Sequence, residues 1–470
     1  MGEDQQVRAP QSGIGAGGVA LWSKPQTRWR ICIDFGTATS KASAWRTHPS
    51  PTADYLKPLP LGAMAGGSKP FLLDSALLID KGSVWFGPAA IKRARELGGK
   101  ADLLRSFKTF LAAGDLDEAL ALKLRRSADP TATYTHRDAI LMYLAYLLDI
   151  VDRTAQADPD LAAEAGKTPL RFAHPMWRRG LASTAVVARL FDEAAFIRER
   201  LAIHFPDPDS IPHVMLHAAL REARNAPSFG RMQAAIFEAH AAAAAHFSFT
   251  SHNPHPILIF DMGAGTTDLT AFESGGIRSA DASMTEIDES RRTLSLACDE
   301  VDLILLNMVV DKAKFAKDSA SRRRLWYALS PAMRAAKEVL FTEKAVELQF
   351  EGNQIILRYK DVAANPRFKA FRAAIEASYT ECLEFVSRRA AASGHDTIDI
   401  LLAGGGSSLP FIQEMAQRTR PTAARIRKVR VASIVPDWAY DPSFGEDFVK
   451  SFPQMAIAIG GAVARVPVAE

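Results

Sequence analysis

The chain has few cysteines, no long apolar run and no excess of charge, and each shortage excludes a class of protein. Among its 470 residues stand three cysteines, Cys32, Cys298 and Cys382, in apolar or helical surroundings and with no paired spacing. That pattern offers neither a disulfide framework nor a zinc site, and it suits a reducing, cytoplasmic compartment. The most apolar segment, Ile140 to Val151, is shorter than the ~20 residues that cross a bilayer, so a buried helix is predicted there and no membrane partner. The start, Met1 to about Lys24, is polar and glycine-rich without an apolar stretch, which is not the pattern of a signal peptide. Its Gly13, Gly15 and Gly18 match a dinucleotide-type glycine pattern, but no strand precedes them, so residues 1–27 are read as a disordered tail. Lys and Arg number 57 against 53 Asp and Glu. The basic residues are scattered, which leaves no footprint for nucleic acid. There is no Gly-x-x-x-x-Gly-Lys-Ser/Thr loop, His-Glu-x-x-His or Cys-x-x-Cys. His252 and His255 flank prolines and read as loop residues.

What is present is an ordinary globular composition, 48% hydrophobic and 23% charged, long enough for two or more cores. One stretch stands out. Ile257 to Phe260 reads as a buried strand, Asp261-Met262-Gly263-Ala264-Gly265-Thr266-Thr267-Asp268 as a tight turn, and Leu269 to Phe272 as a returning strand. Glycine lets backbone N–H groups approach a phosphate closely. Two carboxylates beside such a turn would repel a bare polyphosphate, so they call for a hydrated Mg²⁺ between. A second copy occurs at Ile31-Cys32-Ile33, Asp34-Phe35-Gly36-Thr37-Ala38-Thr39-Ser40 and Lys41 to Ala44. Two such turns far apart suggest a duplicated phosphate clamp. A third glycine turn, Gly404-Gly405-Gly406-Ser407-Ser408, lies between the apolar Ile398 to Ala403 and the helix-like Leu409 to Met415, where a nucleoside could approach closely.

These residues resemble the actin-like ATPase superfamily, and within it the nucleotide-binding domain of the DnaK-type (seventy-kilodalton heat-shock) chaperones. The likeness runs in ordered fragments from about Trp29 to about Arg465. Ile236 to Ala242 resembles the family's Asn-Glu-Pro-Thr-Ala-Ala segment, Asp299 to Asp302 the start of a phosphate-side helix, Arg334 to Leu340 the adenosine-contacting helix, and Pro453 to Ala462 the closing helix. The fold implied is α/β: a two-lobed actin-like ATPase fold, with duplicated ribonuclease H-like lobes and inserted subdomains. Lobe I is expected over 28–250 with an insertion at about 55–125, lobe II over 251–450 with a helical subdomain at about 294–370, and a helix over 451–470 returning to lobe I. Leu181 to Arg200 and Met232 to His246 are expected as helices. The alanine run 241–245 is expected to pack closely against another helix.

By resemblance, ATP or ADP with Mg²⁺ is the cofactor. Asp34 and Asp261 hold the metal through water, and Asp261 or Asp268 aligns the attacking water. Thr37 and Thr266 donate to the terminal phosphates, and Glu238 senses the metal shell. Gly36, Thr37, Ala38, Gly263, Ala264, Gly265, Thr266, Lys337, Gly404, Gly405, Gly406 and Ser407 line the nucleotide. Several positions depart from the family pattern. Its catalytic lysine follows a Gly-x-Ala-Ala segment, whereas here Gly87-Pro88-Ala89-Ala90 is followed by Ile91, with Lys92 one place later. One step turns a helical side chain by about 100°. Ala264 replaces a glycine, which requires a negative φ. Ala297 and Cys298 replace a Gly-Gly pair, Glu338 the adenine-stacking arginine, Phe341 a serine, and Ser408 an arginine. The expected function is a DnaK-like ATP-binding protein whose closure controls a protein partner, with weak ATP hydrolysis and no peptide-binding domain. The alternatives are a phosphotransferase of the sugar-kinase branch and a degenerate nucleotide-binding scaffold.

Overall fold

The computed structural model describes residues 29–469, apart from 47, 49–51, 81, 113–114, 175–180, 203–209, 228–230, 248–254, 275–283, 317–318, 422–425 and 464–467. The tail, its three glycines and His252 lie outside the described residues.

Two sheets of the same topology form the frame. In the first, β1 (Arg30–Asp34) pairs antiparallel with β2 (Thr39–Trp45), which pairs with β3 (Leu56–Pro58). On its other side β1 runs parallel to β4 (Leu170–His174), and β4 to β5 (Met232–Phe237). The order is β3-β2-β1-β4-β5. The second sheet repeats it. β6 (Ile257–Met262) forms a hairpin with β7 (Thr267–Ser274), which pairs with β8 (Met284–Leu294). β6 is parallel to β9 (Thr397–Ala403), and β9 to β10 (Lys428–Ala432). The order is β8-β7-β6-β9-β10, with Val468–Ala469 added beside β8. The chain thus has the two-lobed, duplicated α/β fold expected of it. The parallel strands β1, β4, β6 and β9 are buried along their whole length. Their near-continuous apolar sequence follows from burial on both faces.

Helices cover the sheets in three layers. On lobe I, α1 (Gly87–Glu96) lies in the insertion, and α2 (His136–Ala157) packs against the Leu181–Arg200 helix. Thr135 starts α2 with a capping box, since it accepts from the Asp138 amide while the Asp138 carboxylate accepts from its own amide. Ile140 to Val151 is buried there as predicted, Tyr146 being the partly buried exception. Between the sheets run α3 (Glu238–Phe247) and, from the chain's end, α8 (Glu446–Ala462). Their shared core takes Cys32, Ala173 and Ile236 from the first sheet and Ile257, Ile259 and Leu401 from the second. On lobe II lie α4 (Cys298–Lys312), α5 (Met333–Glu343), α6 (Pro366–Ala392) and α7 (Pro410–Arg418). Within this part of the chain, Ala345–Phe350 pairs antiparallel with Asn353–Arg358 in a hairpin.

The alanine run packs as expected. Ala241 to Ala245 are buried, and a Cβ at Gly460 of α8 would overlap the Ala241 carbonyl oxygen. α8 is fastened at its middle and at its C-terminal end. The Gly404 amide donates to the Pro453 carbonyl at 2.9 Å. At the C-terminal end the Arg30 guanidinium donates to the Ala462 carbonyl, and Arg171 to those of Gly461 and Val463. Cations suit a helix C-terminus, where the last carbonyls carry negative partial charge.

One expected element is corrected. Met232 to Phe237 is a strand, and the helix begins at Glu238. Alanine favours helix, but register with β4 (Ala234 opposite Arg171, Ile236 opposite Ala173) overrides that preference. The charged strand β8, Met284 to Leu294, was not predicted at all.

Candidate functional site

The two β-hairpin turns face each other across a cleft of about 730 Å³. Asp34 ends β1 and Asp261 lies near the end of β6, each the strand around which its sheet is built. Asp261 sits directly opposite Asp268 in the β6–β7 ladder. The first turn is tight, because a Cβ at Gly36 would overlap the Thr39 carbonyl oxygen. The second closes with the Gly263 amide on the Thr266 carbonyl at 3.0 Å. A Cβ at Gly265 would lie 3.2 Å from Thr37 Oγ1 and 3.1 Å from Thr109 Cγ2, so three segments converge on that glycine. Ala264 has no left-handed backbone, which meets the condition for replacing glycine. The amides of Cys298 and Asp299, at the start of α4, donate to the carbonyls of Gly263 and Ala264. The first two residues of α4 thus dock the helix onto the turn through their backbone amides.

Four carboxylates line one end of the cleft: Asp34, Glu238, Asp261 and Asp268. Asp34 accepts from Lys41 at 2.9 Å, and Glu238 from Lys108 at 2.6 Å. Asp268 accepts from the hydroxyls of Thr266 (2.9 Å) and Thr293 (2.7 Å). Among the described residues no hydrogen-bond donor reaches the Asp261 carboxylate. Burial, then the charges of Asp268, Glu238 and Asp34, push it up to about 8, with Lys41 opposing. Burial also raises Asp268 and Glu238. For the Lys108 ammonium burial acts downward, and Glu238, Asp34 and Asp268 outweigh it, leaving it raised. Such an excess of buried negative charge fits a cation site. No three His, Cys, Asp or Glu side chains among the described residues are placed to hold an ion together.

The other end of the cleft is lined by Arg334, Lys337, Glu338 and Phe341 of α5, by Gly404, Gly405 and Ser408, and by Pro453 and Gln454 of α8. Lys337 is buried, paired with Asp302 at 2.9 Å, and donates to the Cys298 carbonyl at 3.2 Å. Arg334 crosses to lobe I and donates to the Ala38 carbonyl at 3.1 Å. Further bonds join the same two parts of the chain. Ser106 donates to the Asp299 carboxylate, Arg105 to the carbonyls of Ser330 and Pro331, and Lys69 pairs with Glu338 at 2.7 Å.

Of the residues read from the sequence, Asp34, Gly36, Thr37, Ala38, Glu238, Asp261, Gly263 to Thr266, Asp268, Lys337, Gly404 and Gly405 line this cleft. Gly406 and Ser407 are not brought to its wall. A Cβ at Gly406 would run into the Met262 side chain, and the Ser407 hydroxyl donates to the Gly404 carbonyl, which shapes the turn from behind. Ile91 packs beside the small cluster of Ala76, Leu78 and Ala90, and Lys92 is exposed on α1. Lys41, Lys108, Thr109 and Arg334 were missed as site residues. Lys108 belongs to no recognisable motif, and Lys41 lies in the strand returning from the first turn, where the sequence alone gives it no role.

The Hsp70 protein family matches residues 232–424. A ribosome-associated molecular chaperone of Eremothecium gossypii is 28% identical over 174 residues, 35% of this chain and 26% of that protein. Two ribosome-associated molecular chaperones of Saccharomyces cerevisiae are each 27% identical over the same length. The match thus spans about a quarter of the length of these relatives. No helix among the described residues is long and apolar enough to cross a membrane.

Proposed function

We propose that this chain, which carries an Hsp70-like nucleotide-binding domain, binds ATP or ADP with Mg²⁺ between its lobes and couples slow hydrolysis to lobe closure. The observation that carries this reading is the meeting of the two turns at Gly265 and Thr37, with Asp34, Asp261 and Asp268 gathered beneath them. Backbone amides of both turns cradle the phosphates, and Thr37 adds a hydroxyl. Bound magnesium supplies charge neutralisation for the polyphosphate. Asp34 and Asp261 would hold its waters. Asp268, held by the Thr266 and Thr293 hydroxyls, would orient the attacking water.

Coupling to closure follows from bonds that span the lobes, above all Arg334 to Ala38 and Ser106 to Asp299. A partner protein that prefers one lobe spacing would then bind according to nucleotide state. The matched relatives are molecular chaperones by name, and chaperone-like partner control inside the cell is the role we assign.

Calorimetry with ATP in the presence and absence of Mg²⁺ tests the reading. Magnesium-dependent binding is expected, together with slow phosphate release that Asp261→Asn and Asp268→Asn abolish. A folded chain that binds no nucleotide would sink it.

A further inference from the structure

The lysine expected near residue 91 is not in the cleft, and two others are. Lys92 is exposed on α1, and Ile91 is packed against the small cluster that holds Ala76, Leu78 and Ala90. Neither lines the space between the turns. Lys41 and Lys108 both do.

We propose that Lys108, carried on the short turn of helix Phe107–Ala112, supplies the cation for the terminal phosphate that residue 91 or 92 cannot supply. This rests on the nucleotide reading of the cleft. Its neighbour Thr109 faces Gly265, so the segment lies directly against the second turn. The Lys108 ammonium lies 2.6 Å from the Glu238 carboxylate, and Asp34 and Asp268 act on it from two further strands. Its other neighbour is the face of Phe35, with the ring centre 5.9 Å away. Holding a lysine out of water here is costly unless an anion meets it. Glu238 meets that need, and a phosphate oxygen could take its place.

Lys41 is differently committed. It is bonded to Asp34 and lies over Gly36, whose Cβ would be 3.0 Å from its nitrogen. It neutralises the first carboxylate and supports the first turn. Lys108 also sits two residues after Ser106 and three after Arg105, both bonded to lobe II. A lysine there senses the phosphate and the closure at once. Moving from Glu238 to a phosphate oxygen, it would leave Glu238 without its ion pair and alter the charge balance at the metal carboxylates.

The test compares ATP and ADP affinity, with Mg²⁺, for the unmodified chain and for Lys108→Gln, Lys108→Arg, Lys92→Gln and Lys41→Gln. Lys108→Gln is expected to lose about tenfold of ATP binding relative to ADP, with ADP affinity kept within about threefold. Lys108→Arg should recover part of the preference, and Lys92→Gln should leave it unchanged. Melting curves check folding. If Lys108→Gln fails to fold, the double variant Lys108→Gln/Glu238→Gln carries the test, because it leaves no lone carboxylate behind. An unchanged ATP-to-ADP ratio in a folded Lys108 variant, or a loss confined to the Lys92 or Lys41 variant, overturns the proposal. If the unmodified chain binds neither nucleotide, the nucleotide reading itself falls and the assignment of Lys108 with it.

Discussion

Gly265 of one lobe and Thr37 of the other stand so close that a single methyl group on the glycine would come within 3.2 Å of the threonine side chain. The closed cleft is therefore gauged by one missing Cβ. Gly265→Val should hold the turns apart and weaken nucleotide binding by about tenfold or more. The glycine's backbone is not left-handed, so the melting temperature should change little. Titration calorimetry beside a melting curve checks both parts.

Asp261 makes the site pH-sensitive. Its carboxyl is raised from 3.8 to about 8 by burial and neighbouring negative charge. Between those values the folded chain holds a proton that the unfolded chain has released. Stability of the nucleotide-free protein therefore falls as pH rises toward and through 8. Asp261→Asn removes this term, so the variant's melting temperature should gain on the unmodified protein between about pH 6 and 9. Filling the site with a magnesium nucleotide should expel the proton. Binding heats near neutral pH should then differ between buffers of different ionisation enthalpy, and equal heats would contradict the assignment.

The bond from Ser106 to Asp299 ties the insertion on lobe I to the helical part of lobe II. Ser106→Ala should speed release of a fluorescent ADP analogue by about three- to tenfold, since a hydrogen bond to a charged group is lost from the closed form. Stopped-flow displacement reads the rate, and an unchanged rate would show that this bond does not hold the closed form.

Close packing of α3 on α8 predicts a stability effect far from the cleft. Gly460→Ala pushes a methyl group into the Ala241 carbonyl and should cost about 1–3 kcal/mol, measured by chemical denaturation. An isolated surface glycine such as Gly82, with nothing near its Cβ position, is no equivalent control, because its backbone is left-handed. Gly263 is no better suited, since it lines the site. Ala243, also buried on α3, makes the useful comparison: Ala243→Gly tests helix propensity there and should cost about 1 kcal/mol.

The parts of the fold that could be read from the sequence were those where burial leaves a continuous apolar run. The hairpins at Asp34 and Asp261 and the strand before Gly404 were legible for that reason, and their glycines and carboxylates marked the cleft. Strand β8 was not, because Glu286, Asp288, Glu289, Arg291 and Arg292 hide any alternation. Its charge is partly internal: Glu286 is buried and paired with His240 and Arg291. Met232 to Phe237 was misread because its two alanines carry helix propensity while its pairing partner lies about sixty residues away. Lys108 was invisible for a related reason. Its role comes from Glu238, 130 positions later, and no local spacing encodes a contact of that range.

Because α8 is held at its middle, Pro453, by the third glycine turn and at its C-terminal end by Arg30 and Arg171, it takes one anchor from each sheet and ties the two together. With Gly460 packed on Ala241, parting the sheets would break those bonds. Opening of the cleft should accordingly begin at the rim, where Ser106 leaves Asp299, and reach Asp34 and Asp261 last.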